Sequence, residues 1–140
     1  MPTIIKFGGT SVADAQAFER VAEIVIARKQ SAPVVIVSAM SGVTDALLAS
    51  TVLASDGRGE EAIDSLEKTF QRHKETASQL LSKPAADTFS SCVDQAQTQI
   101  EEFLKLLSSQ LAQVRAVQDA VLAFGETLSS LLLANLITEQ

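Results

Sequence analysis

Lys6-Phe7-Gly8-Gly9-Thr10-Ser11 puts an ammonium, two residues without side chains and two hydroxyls in one short stretch. That set suits an anion. Glycines let backbone N–H groups come close to a ligand and open unusual φ values. A helix starting after them would add its positive end. The order is not a Walker loop, because the lysine precedes the glycines, and no G-x-G-x-x-G is present. Chemistry alone leaves two readings open: a phosphate site, or a glycine turn closing a strand beside a surface lysine. Two other stretches carry polar groups next to glycine, Ser38-Ala39-Met40-Ser41-Gly42-Val43-Thr44-Asp45 and Phe124-Gly125-Glu126-Thr127. By residue type, Ser38 and Ser41 read as turn formers and Thr44 as a helix cap. Glu126 reads as a carboxylate favoured by the dipole in the first turn of a helix.

The elements that must position these groups follow from apolar spacing. Thr3 to Phe7 is short, apolar and β-branched, and reads as a buried strand. Helical spacing runs from about Val12 to Lys29 through Ala13, Ala17, Val21, Ile24 and Val25. Val34-Val35-Ile36-Val37 is an uninterrupted apolar run that suits a parallel strand covered on both faces. Together these make a right-handed βαβ unit. A helix through Leu47, Leu48 and Val52 ends at Ser55-Asp56-Gly57-Arg58-Gly59, the clearest break in the chain. Ile63 to Leu80 and Phe89 to Val114 then form two apolar stripes around Pro84, a helical hairpin over about 60–118 that should pack antiparallel. A final helix begins near Ala123 and carries Leu131, Leu132, Leu133, Leu136 and Ile137.

Composition narrows the function classes. With 140 residues, 46% of them apolar, the chain can build one core. Its net charge of −6 and its lack of Trp and Tyr argue against a nucleic-acid surface. The lone Cys92 cannot form an internal disulfide and reads as a structural residue; no Cys/His metal cluster stands out. No signal peptide is evident, and no stretch approaches the roughly 18 uncharged apolar residues of a membrane span. A cytoplasmic protein without membrane contact is expected. His73, the single histidine, lies on an apolar stripe and reads as a packed residue. Glu60-Glu61 should open a helix, and Glu101-Glu102 should form a solvated face.

Lys6-Phe7-Gly8-Gly9-Thr10-Ser11-Val12-Ala13-Asp14 closely resembles the N-terminal signature of aspartate kinases, in the amino-acid kinase superfamily. Val37 to Asp45 resembles that family's second motif, and Phe124 to Ser130 its Gly-Glu-containing third. The resemblance covers essentially the whole chain, in the family's order. It implies an α/β fold, the N-terminal part of a three-layer α/β/α amino-acid kinase domain with a helical hairpin insertion. It also implies phosphoryl transfer from ATP, with Mg2+, to the side-chain carboxylate of L-aspartate, giving 4-phospho-L-aspartate on the way to lysine, threonine and methionine. Carried over, Lys6 would be catalytic and neutralise the transferring phosphate. Gly8, Gly9, Thr10 and Ser11 would hold phosphate oxygens. Ser38, Ser41 and Thr44 would face the substrate, and Glu126 would pair with its α-ammonium. No residue is expected to bind metal on its own.

The final helix is apolar on more than one face and has no C-terminal glycine cap. With only two strands in the sheet, it suggests that residues 1–140 are an incomplete catalytic domain, expected to be inactive alone. The face with Leu131, Leu132 and Ile137 would then need cover, so self-association, as in a homo-oligomer, is expected. The competing reading is a non-catalytic interaction or oligomerisation module that uses the hairpin.

Overall fold

The computed structural model describes residues 1–140. Strand β1 (Ile4–Phe7) leads through a 3-10 turn (Gly9–Val12) into α1 (Ala15–Ala27). The helix starts where Asp14 accepts the N–H of Ala17 at 2.8 Å, satisfying one of its unpaired donors. Strand β2 (Val34–Val37) lies parallel to β1, pairing Ile4 with Val34 and Phe7 with Val37. Helices α2 (Val43–Ser55), α3 (Gly59–Ser65), α4 (Glu67–Leu80), α5 (Lys83–Ser108) and α6 (Val114–Glu139) follow. The expected βαβ unit is present, and helices dominate the rest.

The sheet is covered on one face only. Phe7 packs near Ala17 and Val21 of α1, while Val35 and Val37 lie against Leu133 and Ile137 of α6. On the other face Ile4, Val34 and Ile36 are 68%, 52% and 47% exposed. The expectation that β2 is covered on both faces therefore fails for this chain. The apolar run alone could not say how many layers would cover it.

Helix ends follow local chemistry. At the end of α2, Gly57 takes φ +81°, and the N–H groups of Gly57 and Arg58 bond the carbonyls of Ala54 and Leu53. This is a left-handed cap that glycine adopts at little cost. The same pattern ends α5 without glycine. Gln110 takes φ +58°, and the N–H groups of Gln110 and Leu111 bond the carbonyls of Leu107 and Leu106. The stripe expected to run through Leu111 and Val114 thus stops at Ser108, and those two residues are 78% and 45% exposed. Their spacing continued a helix that the backbone had already closed.

Further expectations change in the helical part. The first arm of the hairpin is broken at Leu66 into α3 and α4, although Leu66, Phe70, His73 and Ala77 are buried as the stripe required. Lys74 of α4 pairs with Asp94 of α5 at 2.5 Å across the hairpin. Glu60 and Glu61 do open α3. The last helix begins at Val114, well before Ala123. By length and composition alone it could cross a membrane, but Glu126 interrupts it, so no run of 18 uncharged apolar residues is present. Its apolar side chains serve the core: Val117, Val121, Leu128, Leu132, Leu133 and Leu136 are buried. Leu132 is fully covered and Leu131 and Ile137 half-covered, so the helix face expected to need a partner is largely packed within the chain.

Candidate active site

Two parallel strands end at the same edge, and the loops after them lie against each other. The ladder runs one step past β2, with the N–H of Ser38 donating to the carbonyl of Phe7 at 3.0 Å. Parallel α/β sheets bind ligands at this carboxyl edge. After β1, the N–H of Ser11 bonds the carbonyl of Gly8 at 3.0 Å and closes the turn. A Cβ on Gly9 would lie 3.2 Å from the carbonyl oxygen of Ala39, so the absence of a side chain lets the first loop touch the second. A Cβ on Gly8 would meet nothing within 4 Å. The bare backbone of Gly8 therefore serves no internal packing and leaves open space at the strand end, where an anion can approach.

Helix α6 brings the third stretch to the same edge. A Cβ on Gly125 would lie 2.7 Å from the Cβ of Ala39, 3.4 Å from Val43 and 3.5 Å from Leu47. The hydroxyl of Ser129, fully buried, donates to the carbonyl of Ser38 at 2.5 Å. Gly125 is thus a packing residue that seats the helix on the second loop.

Glu126 follows Gly125 and is exposed. It lies inside the 26-residue α6, so its expected position in a first helical turn is overturned. The Phe-Gly-Glu string looks like a turn in sequence, yet its glycine is fixed by a tertiary contact. Thr44 is in the first turn of α2, is exposed, and does not cap it; Gly42, at φ +82°, holds the cap position with no side-chain bond. Because Gly125 touches Val43, Thr44 and Glu126 follow two contacting residues on neighbouring helices.

The candidate residues therefore gather at one edge. Lys6 comes from β1, Gly8 to Ser11 from the loop after it, Ser38 and Ser41 from the loop after β2, Thr44 from the start of α2, and Glu126 from α6. Lys6 is exposed on the open sheet face, in register with Ile36, and joins none of the three ion pairs. The edge is open: no surface depression is lined by Lys6, Ser38, Ser41, Thr44 or Glu126. A shallow hollow of about 260 Å³ reaches Thr10 and Ser11, but it lies towards Arg20 and Ile24 of α1. No group of three His, Cys, Asp or Glu side chains could hold a metal ion.

One contributor to this edge has no motif. Arg72 of α4 donates to the carbonyl of Ser41 at 2.6 Å and to that of Ala13 at 2.6 Å. Its partners are 31 and 59 residues away in sequence, beyond the reach of local spacing. The neighbouring His73 is fully buried, as its stripe position required, with Nδ1 2.7 Å from the Thr69 carbonyl and Nε2 without a partner. Burial, aided by the charge of Arg72, holds its pKa below the ordinary histidine value against the opposing Thr69 contact.

The fold and sequence have counterparts among known proteins. The amino acid kinase family model matches residues 1–140. The chain is 34% identical over 134 residues to an aspartokinase of Chlamydia trachomatis, covering 96% of this chain and 27% of that protein. It is 28% identical over 137 residues to the chloroplastic bifunctional aspartokinase/homoserine dehydrogenase 2 of Arabidopsis thaliana, covering 98% of this chain and 15% of that protein. E. coli aspartokinase III in complex with aspartate and ADP superposes with a TM-score of 0.77 at 27% identity, over 99% of this chain and 29% of that one. The same enzyme with lysine and aspartate gives 0.74 at 28%, with the same coverage. The chain thus spans less than a third of the length of each of these proteins. By the full-length family match and the shared fold, it belongs to the amino acid kinase family, and these relatives are aspartokinases.

Proposed function

We propose that residues 1–140 are the N-terminal part of the catalytic domain of an aspartate kinase, carrying its phosphate corner and much of its acceptor side. The convergence on Ala39 carries the reading: Gly9 of the first loop and Gly125 of α6 both close on it, gathering all three motifs at one strand edge. A solved relative of this fold holds aspartate and ADP.

In this reading ATP is the phosphoryl donor. A side-chain carboxylate oxygen of L-aspartate attacks the γ-phosphorus, the bond to the ADP oxygen breaks, and 4-phospho-L-aspartate forms. Such a transfer depends on positioning and charge neutralisation. The Lys6 ammonium offsets charge on the transferring phosphoryl group. Backbone N–H groups beside Gly8 and Gly9, with the Thr10 and Ser11 hydroxyls, hold phosphate oxygens. Ser38, Ser41 and Thr44 orient the aspartate, and the Glu126 carboxylate pairs with its α-ammonium. Mg2+ would accompany the nucleotide, but these residues offer it no ligand cluster.

Kinetics of the full-length protein carrying this chain test the roles. Lys6→Ala should lower kcat with a smaller change in the aspartate KM. Glu126→Ala should chiefly raise the aspartate KM. Unchanged kinetics in both variants would refute the assignments.

A further inference from the structure

Both loops of the candidate site are tied to one side chain outside all three motifs. The Arg72 guanidinium sends one nitrogen to the carbonyl of Ala13, at the end of the first loop, and another to that of Ser41, in the second. No other side chain donates to both loops. Each bond is charge-assisted, and the planar fork fixes the distance between its two acceptors as well as their direction. The base of the fork is itself held. Phe70, His73, Thr76 and Ala77 bury the inner face of α4, and Lys74 fastens the helix to α5 through Asp94.

We infer that Arg72 is a positioning residue that sets the spacing between the phosphate loop and the acceptor loop, and so couples the α4–α5 hairpin to phosphoryl transfer. The inference rests on the aspartate kinase reading for its kinetic consequence, and on geometry alone for the loop spacing. Ala13 follows Thr10 and Ser11 closely, and Ser41 precedes Thr44, so the fork grips each loop next to its candidate ligand groups. In-line transfer is sensitive to small displacements between donor and acceptor: a misplacement of about 1 Å can cost roughly 100-fold. A lysine here could reach one carbonyl or the other, but its point charge cannot span both.

The test uses the full-length protein with Arg72→Lys and Arg72→Ala, measuring kcat, both KM values, melting temperature, and hydrogen exchange at residues 9–14 and 38–43. Both variants should lose roughly 10- to 100-fold in kcat, with smaller changes in KM. Exchange should rise in the two loops together while α5 and α6 stay protected. Three results would overturn the inference: wild-type kcat in Arg72→Lys, unchanged loop exchange, or a uniform rise in exchange with a matching fall in melting temperature. If Arg72→Ala does not fold, Arg72→Lys decides alone. If the wild type fails to phosphorylate aspartate, the proposed function falls, and the exchange arm still decides whether Arg72 clamps the loops.

Discussion

Gly125 and Ala39 meet so closely that a methyl group on Gly125 would lie 2.7 Å from the Ala39 Cβ. This contact seats the middle of α6 on the loop after β2, and it explains a glycine inside a 26-residue helix, where glycine otherwise costs about 1 kcal/mol relative to alanine.

The contact makes a signed prediction. Gly125→Ala gains helix propensity but overpacks the loop, a cost of about 1–3 kcal/mol. The net effect should be destabilising, and Ala39→Gly in the same chain should recover part of the loss. Urea unfolding of the two single variants and the double variant gives the coupling directly. Additive effects would contradict the packing account.

Ser129 makes the second tie at the same seam. Ser129→Ala removes the donor to the Ser38 carbonyl in a buried position, and should cost about 1–3 kcal/mol. Hydrogen exchange should report loosening at residues 38–42 first. A loss spread evenly over the chain would place the role of Ser129 elsewhere.

His73 predicts an acid limit to stability. Its pKa is lowered from the ordinary 6.5 in the folded chain, so the unfolded chain binds the proton more readily. Stability should fall as pH drops below about 6.5 and until the folded value is passed. His73→Leu should flatten that part of the profile, as read from urea midpoints between about pH 5 and 7. An unchanged slope in the variant would assign the acid sensitivity to other groups.

The open sheet face predicts self-association of the 140-residue chain. Ile4, Val34 and Ile36, with Lys6 beside them, form an exposed and mostly apolar face on a sheet of only two strands. Sedimentation should show mass rising with concentration, and Ile36→Lys should reduce it. A monomer at high concentration would contradict this.

Much of the frame was legible in the sequence. The β-branched runs ending at Phe7 and Val37, the glycines after the first, and the Gly57 break all signal their structure locally. The apolar stripe marked His73 as a core residue for the same reason. The start of α6 was hidden because Gly125 looks like a turn until Ala39 is seen against it. The end of α5 was hidden because Gln110 adopts a left-handed conformation that sequence assigns to glycine. Arg72 was invisible because its partners are set by the fold.

An aspartate kinase must phosphorylate the side-chain carboxylate of L-aspartate. The most direct measurement is ATP-dependent formation of an acyl phosphate from L-aspartate, trapped as the hydroxamate, by the full-length protein and by residues 1–140 alone. The full-length protein should turn over with aspartate. Residues 1–140, whose Lys6, Thr44 and Glu126 line an open edge with no enclosed pocket, should not. Absence of aspartate-dependent turnover by the full-length protein would contradict the account.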